Sequence, residues 1–360
     1  MLREIGSNFW ISPNDDIGGK HLGTPKQFGC SGNDYVWLST GRSAISLVLQ
    51  NIELQNPNIE KVALIPSYTC HTVIEPFLKF GYKVHAFPVS KKLETTTSQI
   101  LNMVQSTKAK VFIFHLYYGF NTMPDFHNCV EKLRDIGVIT IEDCTQSLFS
   151  DFQKSNADYF VASIRKWSGV PDGGFAVCRD GVLNNKPFEQ DIHLQEAKRI
   201  ASEKKYNYIF NNQGDKSTYK LKYREAEEIL DMQSKFYSIS SLSADIQANL
   251  DIGFLKQQRR NNYVVLQTGM DDISRVKTVM ENLPENVVPL YFPIFIDDRD
   301  TIQNLLADND VYAPVVWPMA DCCPAIDNNS YYLYEHLLCI PIDQRYDTDD
   351  MQRIIEILKR

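Results

Sequence analysis

Short apolar runs that alternate with helical patterns constrain this chain more than any other feature. Val62-Ala63-Leu64-Ile65 is stopped by Pro66, and Val84 to Val89, Val111-Phe112-Ile113-Phe114 and Val138 to Ile141 follow in turn. Asp158 to Ser163 and Gly174 to Cys178 complete the series. Runs of this length, apolar throughout, are strands buried on both faces. Between them lie helical patterns. Ile45, Val48, Leu49 and Ile52 form one apolar stripe of a helix starting near Arg42. His71 to Phe80 closes at Gly81, and Asp125 to Asp135 ends at Gly137. The alternation predicts βαβ units and a mostly parallel sheet.

The flanking regions differ. The first forty residues are rich in Gly, Asn, Asp and Pro and read as irregular. From Phe188 to Gln257 the chain is charged, Tyr-rich and helical in pattern, with a polar break at Asn211-Asn212-Gln213-Gly214. These helices are expected to cover the sheet. After Asn286 a second α/β pattern appears. It comprises a strand in Val287 to Ile296, a helix from Arg299 to Asp308, a strand from Tyr312 to Trp317 and a helix from Thr348 to Leu358. Two domains are expected: a large one over 1–255, with an irregular start at 1–38, and a small α/β one over 256–360.

The 360 residues carry 37 Lys and Arg against 45 Asp and Glu, a net charge of −8. That balance gives no long-range attraction to nucleic acid or anionic membranes. No apolar run reaches the roughly 20 residues that span a bilayer. The N-terminal stretch lacks the apolar core of a secretory signal. Eight cysteines form no Cys-x-x-Cys pair and do not cluster with histidines. Reduced, mostly buried thiols are expected, with no metal site. A cytoplasmic protein is expected.

Ligands of open α/β sheets bind outside the carboxyl ends of the strands. Four places there carry chemistry. Ser39-Thr40-Gly41-Arg42-Ser43 opens a helix, whose unpaired N–H groups suit a phosphate, although a plain N-cap explains the same residues. Glu142 and Asp143 end a strand, so alternation points one into the fold and one at the crevice. Lys166 lies beside Trp167 and before Gly173-Gly174, a setting for a partly desolvated amine able to condense with an aldehyde. In Pro66-Ser67-Tyr68-Thr69-Cys70-His71 a ring could stack on a flat cofactor, or Tyr68 could simply be packed. His115, at a strand end, is a further candidate. His21, His85, His127, His193 and His336 have the bland reading of packed or solvated side chains.

The order of these elements suits pyridoxal phosphate, which needs an anion site, a carboxylate for its ring nitrogen and a lysine for its aldehyde. The chain resembles fold-type I pyridoxal phosphate enzymes, and is similar to the DegT/DnrJ/EryC1/StrS sugar aminotransferases. Matching stretches are Thr40-Gly41-Arg42-Ser43-Ala44-Ile45, Ala63 to Thr69, Ile141 to Ser147, Ser163-Ile164-Arg165-Lys166 with Gly173-Gly174, and Val311 to Pro318.

The resemblance implies a large domain with a mostly parallel, seven-stranded type of sheet flanked by helices, plus a smaller C-terminal α/β domain. It implies catalytic roles for Lys166, which would hold the cofactor and move the substrate proton, and for Asp143, which would pair with the ring nitrogen. Gln146 would lie near the ring hydroxyl. Thr40, Gly41, Arg42, Ser43 and Ser163 would bind the phosphate, and Tyr68, Cys70 or His71 would take the stacking position. A homodimer is implied, with an amino donor such as glutamate and a keto sugar acceptor, possibly nucleotide-linked. Arg42 stands where the family usually has Thr, and Cys70 where it most often has Phe or Trp. The family's Asn-x-Arg element has only Lys222-Tyr223-Arg224 as its nearest counterpart. The alternatives are another pyridoxal phosphate reaction, of elimination or aldol type, and a non-catalytic binding protein of the same fold.

Overall fold

The computed structural model describes residues 3–11, 21–233 and 235–360. In chain order the first half contains β1 (Ile5–Gly6), β2 (Asp34–Leu38), α1 (Gly41–Gln55), β3 (Val62–Pro66), α2 (His71–Lys79) and β4 (Lys83–Phe87). It continues through α3 (Thr97–Thr107), β5 (Val111–His115), α4 (Phe126–Asp135), β6 (Ile139–Asp143), β7 (Tyr159–Ser163) and β8 (Gly174–Cys178). Seven of these strands form one sheet in the order β2-β8-β7-β6-β5-β3-β4. Strands β3 to β7 pair in parallel, while β8 runs antiparallel to both β7 and β2.

Alternation sends successive side chains into two cores. Leu64, Phe112 and Phe114 join one cluster, and Ala63, Ile65, Val111 and Ile113 join the other. Helices crossing each face keep water from both, which is why these strands read as unbroken apolar runs. Each Val, Leu, Ile or Phe among them, fully buried, contributes about 1.5–3 kcal/mol. Gly81 and Gly137 follow α2 and α4 with positive φ, as their positions predict. Two elements of this sheet and its helices escaped the pattern. β2 is a short edge strand inside the segment read as irregular. α3 starts at a Thr96/Gln99 capping box, with each side chain bonded to the other's backbone N–H.

The second half contains α5 (Ile192–Asn211), α6 (Lys216–Asp231), α7 (Ser241–Asn249), α8 (Ile252–Met270), β9 (Lys277–Thr278) and β10 (Phe292–Phe295). It ends with α9 (Arg299–Asp308), β11 (Val311–Tyr312), α10 (Asn328–His336), β12 (Leu337–Ile340) and α11 (Thr348–Leu358). Strands β12, β10 and β9 form an antiparallel sheet, and β1 pairs with β11 in parallel. The N-terminal segment is thereby stitched to the C-terminal part of the chain.

Two expectations need correcting. α5 and α6 do not cover the sheet. They pack chiefly on each other, with the turn between them where the polar break stands and Asn212 left-handed at φ +53°. Their polar atoms hold the N-terminal segment: Lys205 Nζ donates to Asn8 O at 2.6 Å, and Tyr223 Oη donates to Phe9 O at 2.6 Å. The strand expected over Tyr312–Trp317 stops at Tyr312. Pro314 has no N–H for a ladder, and the residues after it turn toward the large sheet.

Candidate active site

A cavity of about 820 Å³ opens at the carboxyl ends of the parallel strands, bounded by α1, α2, α6 and the Pro314–Trp317 segment. Thr40 caps α1. Its hydroxyl accepts from Ser43 N–H at 3.0 Å, so the N-cap reading is right. The same helix start still borders the cavity through Thr40, Gly41, Arg42 and Ser43. The first-turn N–H groups that no side chain caps remain available to an anion. Two glycines bring this helix end against the sheet. A Cβ at Gly41 would lie 3.1 Å from Ser163 Cβ, and one at Gly174 would meet Thr40 backbone at 2.6 Å.

The two acids ending β6 separate as alternation requires. Glu142 turns into the fold, where its Oε2 accepts from Ser155 N–H at 2.8 Å. Asp143 borders the cavity, and its Oδ1 accepts from Thr145 N–H at 2.9 Å. Burial raises the Asp143 carboxyl above its ordinary range, and the Thr145 bonds partly offset this. A positive partner in the cavity would restore its charge. His115 lies beside it, in register across β5 and β6. Burial pulls His115 down to about 4, so its imidazole is neutral at physiological pH. Its Nε2 has no partner among the described residues.

Thr145 organises this floor. Its Oγ1 accepts from Ser163 N–H at 2.9 Å, and its carbonyl accepts from Trp167 Nε1 at 2.6 Å. Gln146 also faces the cavity, its Oε1 accepting from Tyr118 N–H at 2.6 Å. Lys166 ends the 3-10 turn Ile164–Lys166 that follows β7, and its side chain projects into the cavity. Solvent reaches it there, yet the protein around it lowers its pKa, chiefly by desolvation and then through Arg165. A lysine so placed offers its neutral amine more readily than a surface lysine does.

The stacking candidates divide. Cys70 and His71 line the cavity; Tyr68 does not. Its fully buried ring packs 5.8 Å from Tyr117, 5.5 Å from Trp317 and 4.7 Å from Tyr334. Arg42 is also differently placed from a simple phosphate ligand. Its Nε lies 3.3 Å from Glu75 and its Nη2 3.0 Å from Asp231. Of the Lys222-Tyr223-Arg224 region, Arg224 is exposed on α6 and pairs loosely with Glu228 at 3.9 Å.

Several cavity residues were not legible as such. Thr145 sits within the Glu142–Ser147 stretch, where a hydroxyl after an acid was the available signal. Glu227 and Asp231 look like solvated helix charges, and only the placement of α6 brings them to the cavity. Trp317 lies in the expected last strand, and only the tertiary fold turns it toward His115, with ring centroids 5.4 Å apart.

No curated protein sequence matches the chain. Solved structures share its fold at low identity. CalS13, a sugar aminotransferase from Micromonospora echinospora, has 15% identity and a TM-score of 0.67, covering 98% of each chain. PseC of Helicobacter pylori, an aminotransferase of pseudoaminic acid biosynthesis, has 12% identity and a TM-score of 0.69 over 99% of this chain and 98% of its own. The PMP form of Spr1654 from Streptococcus pneumoniae has 15% identity and a TM-score of 0.69, over 99% and 97%. Its PLP form has 14% identity and a TM-score of 0.68, over 100% and 97%. The family model of the DegT/DnrJ/EryC1/StrS aminotransferases matches residues 32–359. The chain belongs to the DegT/DnrJ/EryC1/StrS aminotransferase family.

Proposed function

We propose that this protein is a pyridoxal phosphate-dependent aminotransferase. It moves an amino group from an amino acid such as glutamate to a keto sugar. The observation that carries this reading is the convergence of Lys166, Asp143 and the start of α1 on one cavity. The residues fit the cofactor. The α1 start and Ser163 form an anion cradle that a Cβ at Gly41 would crowd, Asp143 awaits a cationic partner, and Lys166 supplies an amine. Spr1654, which shares the fold, has structures in PLP and PMP forms.

Pyridoxal phosphate bound there supplies an aldehyde and a ring that withdraws electrons. Thr40, Gly41, Ser43 and Ser163 would hold its phosphate at the positive end of α1. Asp143, fixed by Thr145, would keep a proton on the ring nitrogen. Gln146 lies at the same floor and would lie near the ring hydroxyl. Lys166 would hold the cofactor through its aldehyde, and its amine is placed to carry the substrate proton. His115, neutral at physiological pH, lines the same cavity. Cys70 and His71 line it too and would take the stacking position. No helix among the described residues is long and apolar enough to cross a membrane. A cytoplasmic homodimer, with residues 1–255 carrying the cofactor and 256–360 the smaller domain, completes the reading.

The test is an absorbance spectrum after pyridoxal phosphate is added, before and after borohydride, with Lys166→Ala alongside. A visible band that borohydride fixes covalently, that glutamate depletes and that the variant lacks is expected. A folded wild-type protein with no band overturns the assignment.

A further inference from the structure

Lys166 and Arg165 also border a second cavity, of about 520 Å³. Among the described residues, Glu227 is the one acid that lines both cavities. It comes from α6, outside the alternating strands and helices of the large sheet. Other acids of α6 are used differently. Glu225 pairs with Lys222 at 2.7 Å and Glu228 with Arg224 at 3.9 Å, both along the helix's own surface. Glu227 and Asp231 stand four residues apart on one helix face, and both reach off the helix. Asp231 meets Arg42. Glu227 bonds Lys198 of α5, and its Oε1 lies 3.7 Å from Arg165 Nη1.

Lys198, Arg165 and the adjoining Lys166 thus put three cations beside this carboxylate. Burial opposes charge on Glu227, but Arg165 and then Lys198 hold its carboxyl below the ordinary range. Burial and Arg165 pull Lys198 down to about 8, and Glu227 opposes them. Lys166 is lowered by burial and then by Arg165, while Cys70 and Glu227 push the other way. The remaining carboxylates nearby are committed elsewhere. Asp172 also acts on Arg165, but it is fully buried and takes hydrogen bonds from the hydroxyls of Ser240, at 2.7 Å, and Ser243. Asp343 bonds Arg345 at 2.7 Å and faces Arg259. Glu75 and Asp231 serve Arg42, and Asp143 is raised by burial on the cavity floor. Tyr291 lines both cavities too, and burial keeps its hydroxyl neutral.

We infer that Glu227 is a positioning residue for the reaction: from α6 it supports positive charge on the Lys166 amine, and so sets the pH range over which that amine takes up and releases the substrate proton. The inference deepens the aminotransferase reading and rests on it. An amine that carries a proton in both directions works best when both of its forms are populated near the operating pH. Burial and Arg165 favour the neutral form, and a carboxylate close by restores the balance. Glu227 is half-exposed and solvent reaches Lys166 in the cavity, so screening keeps the effect moderate.

The experiment is trace acetylation of the full chain, free of cofactor, with acetic anhydride over a pH series. Mass spectrometry reads the label on the Lys166 peptide. The reagent takes only the neutral amine, so the labelling midpoint follows the Lys166 proton. Glu227→Gln is expected to lower that midpoint by about half to one pH unit, which raises labelling at pH 7 by about three- to tenfold, and by less at high salt. Glu227→Asp keeps the charge and is expected to recover most of the change. Lys198→Met removes a competing cation and is expected to raise the midpoint. A role confined to holding α6 on α5 predicts one direction of change for both Glu227→Gln and Lys198→Met, since each breaks the same ion pair. A level midpoint in Glu227→Gln overturns the inference, as does movement of these two variants in one direction. Where Glu227→Gln does not fold, Lys198→Met decides, and a level or lower midpoint overturns the inference. With pyridoxal phosphate and glutamate added, the pH profile for loss of the visible band is expected to move with the labelling, and a level profile overturns the role in the reaction. If labelling moves as expected but the wild type forms no band, the aminotransferase reading fails and the effect of Glu227 on Lys166 stands.

Discussion

Gly41 and Ser163 touch across the carboxyl end of the sheet, so closely that a Cβ on Gly41 would stand 3.1 Å from the Ser163 Cβ. The contact places the first turn of α1 against the end of β7. Gly41→Ala therefore separates two effects. Alanine favours the helix by about 0.5–1 kcal/mol over glycine, and the crowding of Ser163 offsets that. The variant is expected to melt within a few degrees of wild type. Its pyridoxal phosphate affinity is expected to fall about tenfold, the worth of roughly one charge-assisted hydrogen bond. Unchanged affinity in a fluorimetric titration places the phosphate elsewhere.

Asp143 provides the second prediction. Asp143→Asn keeps the shape and the bonds to Thr145 but removes the charge. Without it the ring nitrogen loses its proton, and the electron sink weakens as charge develops. The rate of the glutamate half-reaction is expected to fall about 10²–10³-fold, the range for loss of one preorganised electrostatic group. Stopped-flow absorbance after a glutamate pulse reads it directly. The variant should be no less stable than wild type in the absence of cofactor, because burial already disfavours this carboxylate's charged form. A variant that loses stability but keeps its rate assigns Asp143 to the fold.

Arg42 stands one residue past Gly41, with Glu75 and Asp231 against its guanidinium. Asp231 is exposed, so this pair is worth no more than about 1 kcal/mol to the fold. Its effect on the cavity is larger in proportion. Asp231→Asn leaves Arg42 less neutralised beside the anion cradle, and cofactor affinity is expected to rise by about two- to fivefold, less at high salt. Titrations at two ionic strengths check it. Affinity that stays level at both removes Arg42 from phosphate binding.

Much of the large sheet was legible because its strands are buried on both faces and its helices are striped. Gly174–Cys178, Arg299–Asp308 and Thr348–Leu358 fall where the pattern put them. Asp143 and Lys166 were legible because strand-end position and a following Gly-Gly carry geometric meaning. Tyr68 was not. Which ring faces a crevice depends on what packs behind it, here Tyr117, Tyr334 and Trp317. Arg259 was equally hidden. It stands in a run of polar residues on a long helix, and only the tertiary fold reveals that it is buried, with Asp343 as a neighbouring carboxylate. The role of α5 and α6 escaped for a related reason. Their polar side chains bond the N-terminal segment, a partner remote in sequence.

Lys205 on α5 gives the last prediction, a pH dependence of stability. Its side chain is fully buried, and its Nζ donates to Asn8 O at 2.6 Å. Burial, aided by Arg345, pulls its pKa from 10.5 to about 7, while Glu4 and Asp343 oppose the shift. The folded value lies below the unfolded one, so between these limits the unfolded chain binds the extra proton. Stability contributed by this group therefore rises with pH from about 7 to 10.5, by up to about 1.4 kcal/mol per unit. Below pH 7 both states carry the proton and the penalty is constant. Urea midpoints at pH 7 and pH 9 should differ accordingly in the wild-type protein. Lys205→Met removes the charge that burial opposes, so its midpoint at pH 7 is expected to be higher and the rise between the two pH values smaller. An identical rise in both proteins assigns the titration to another group.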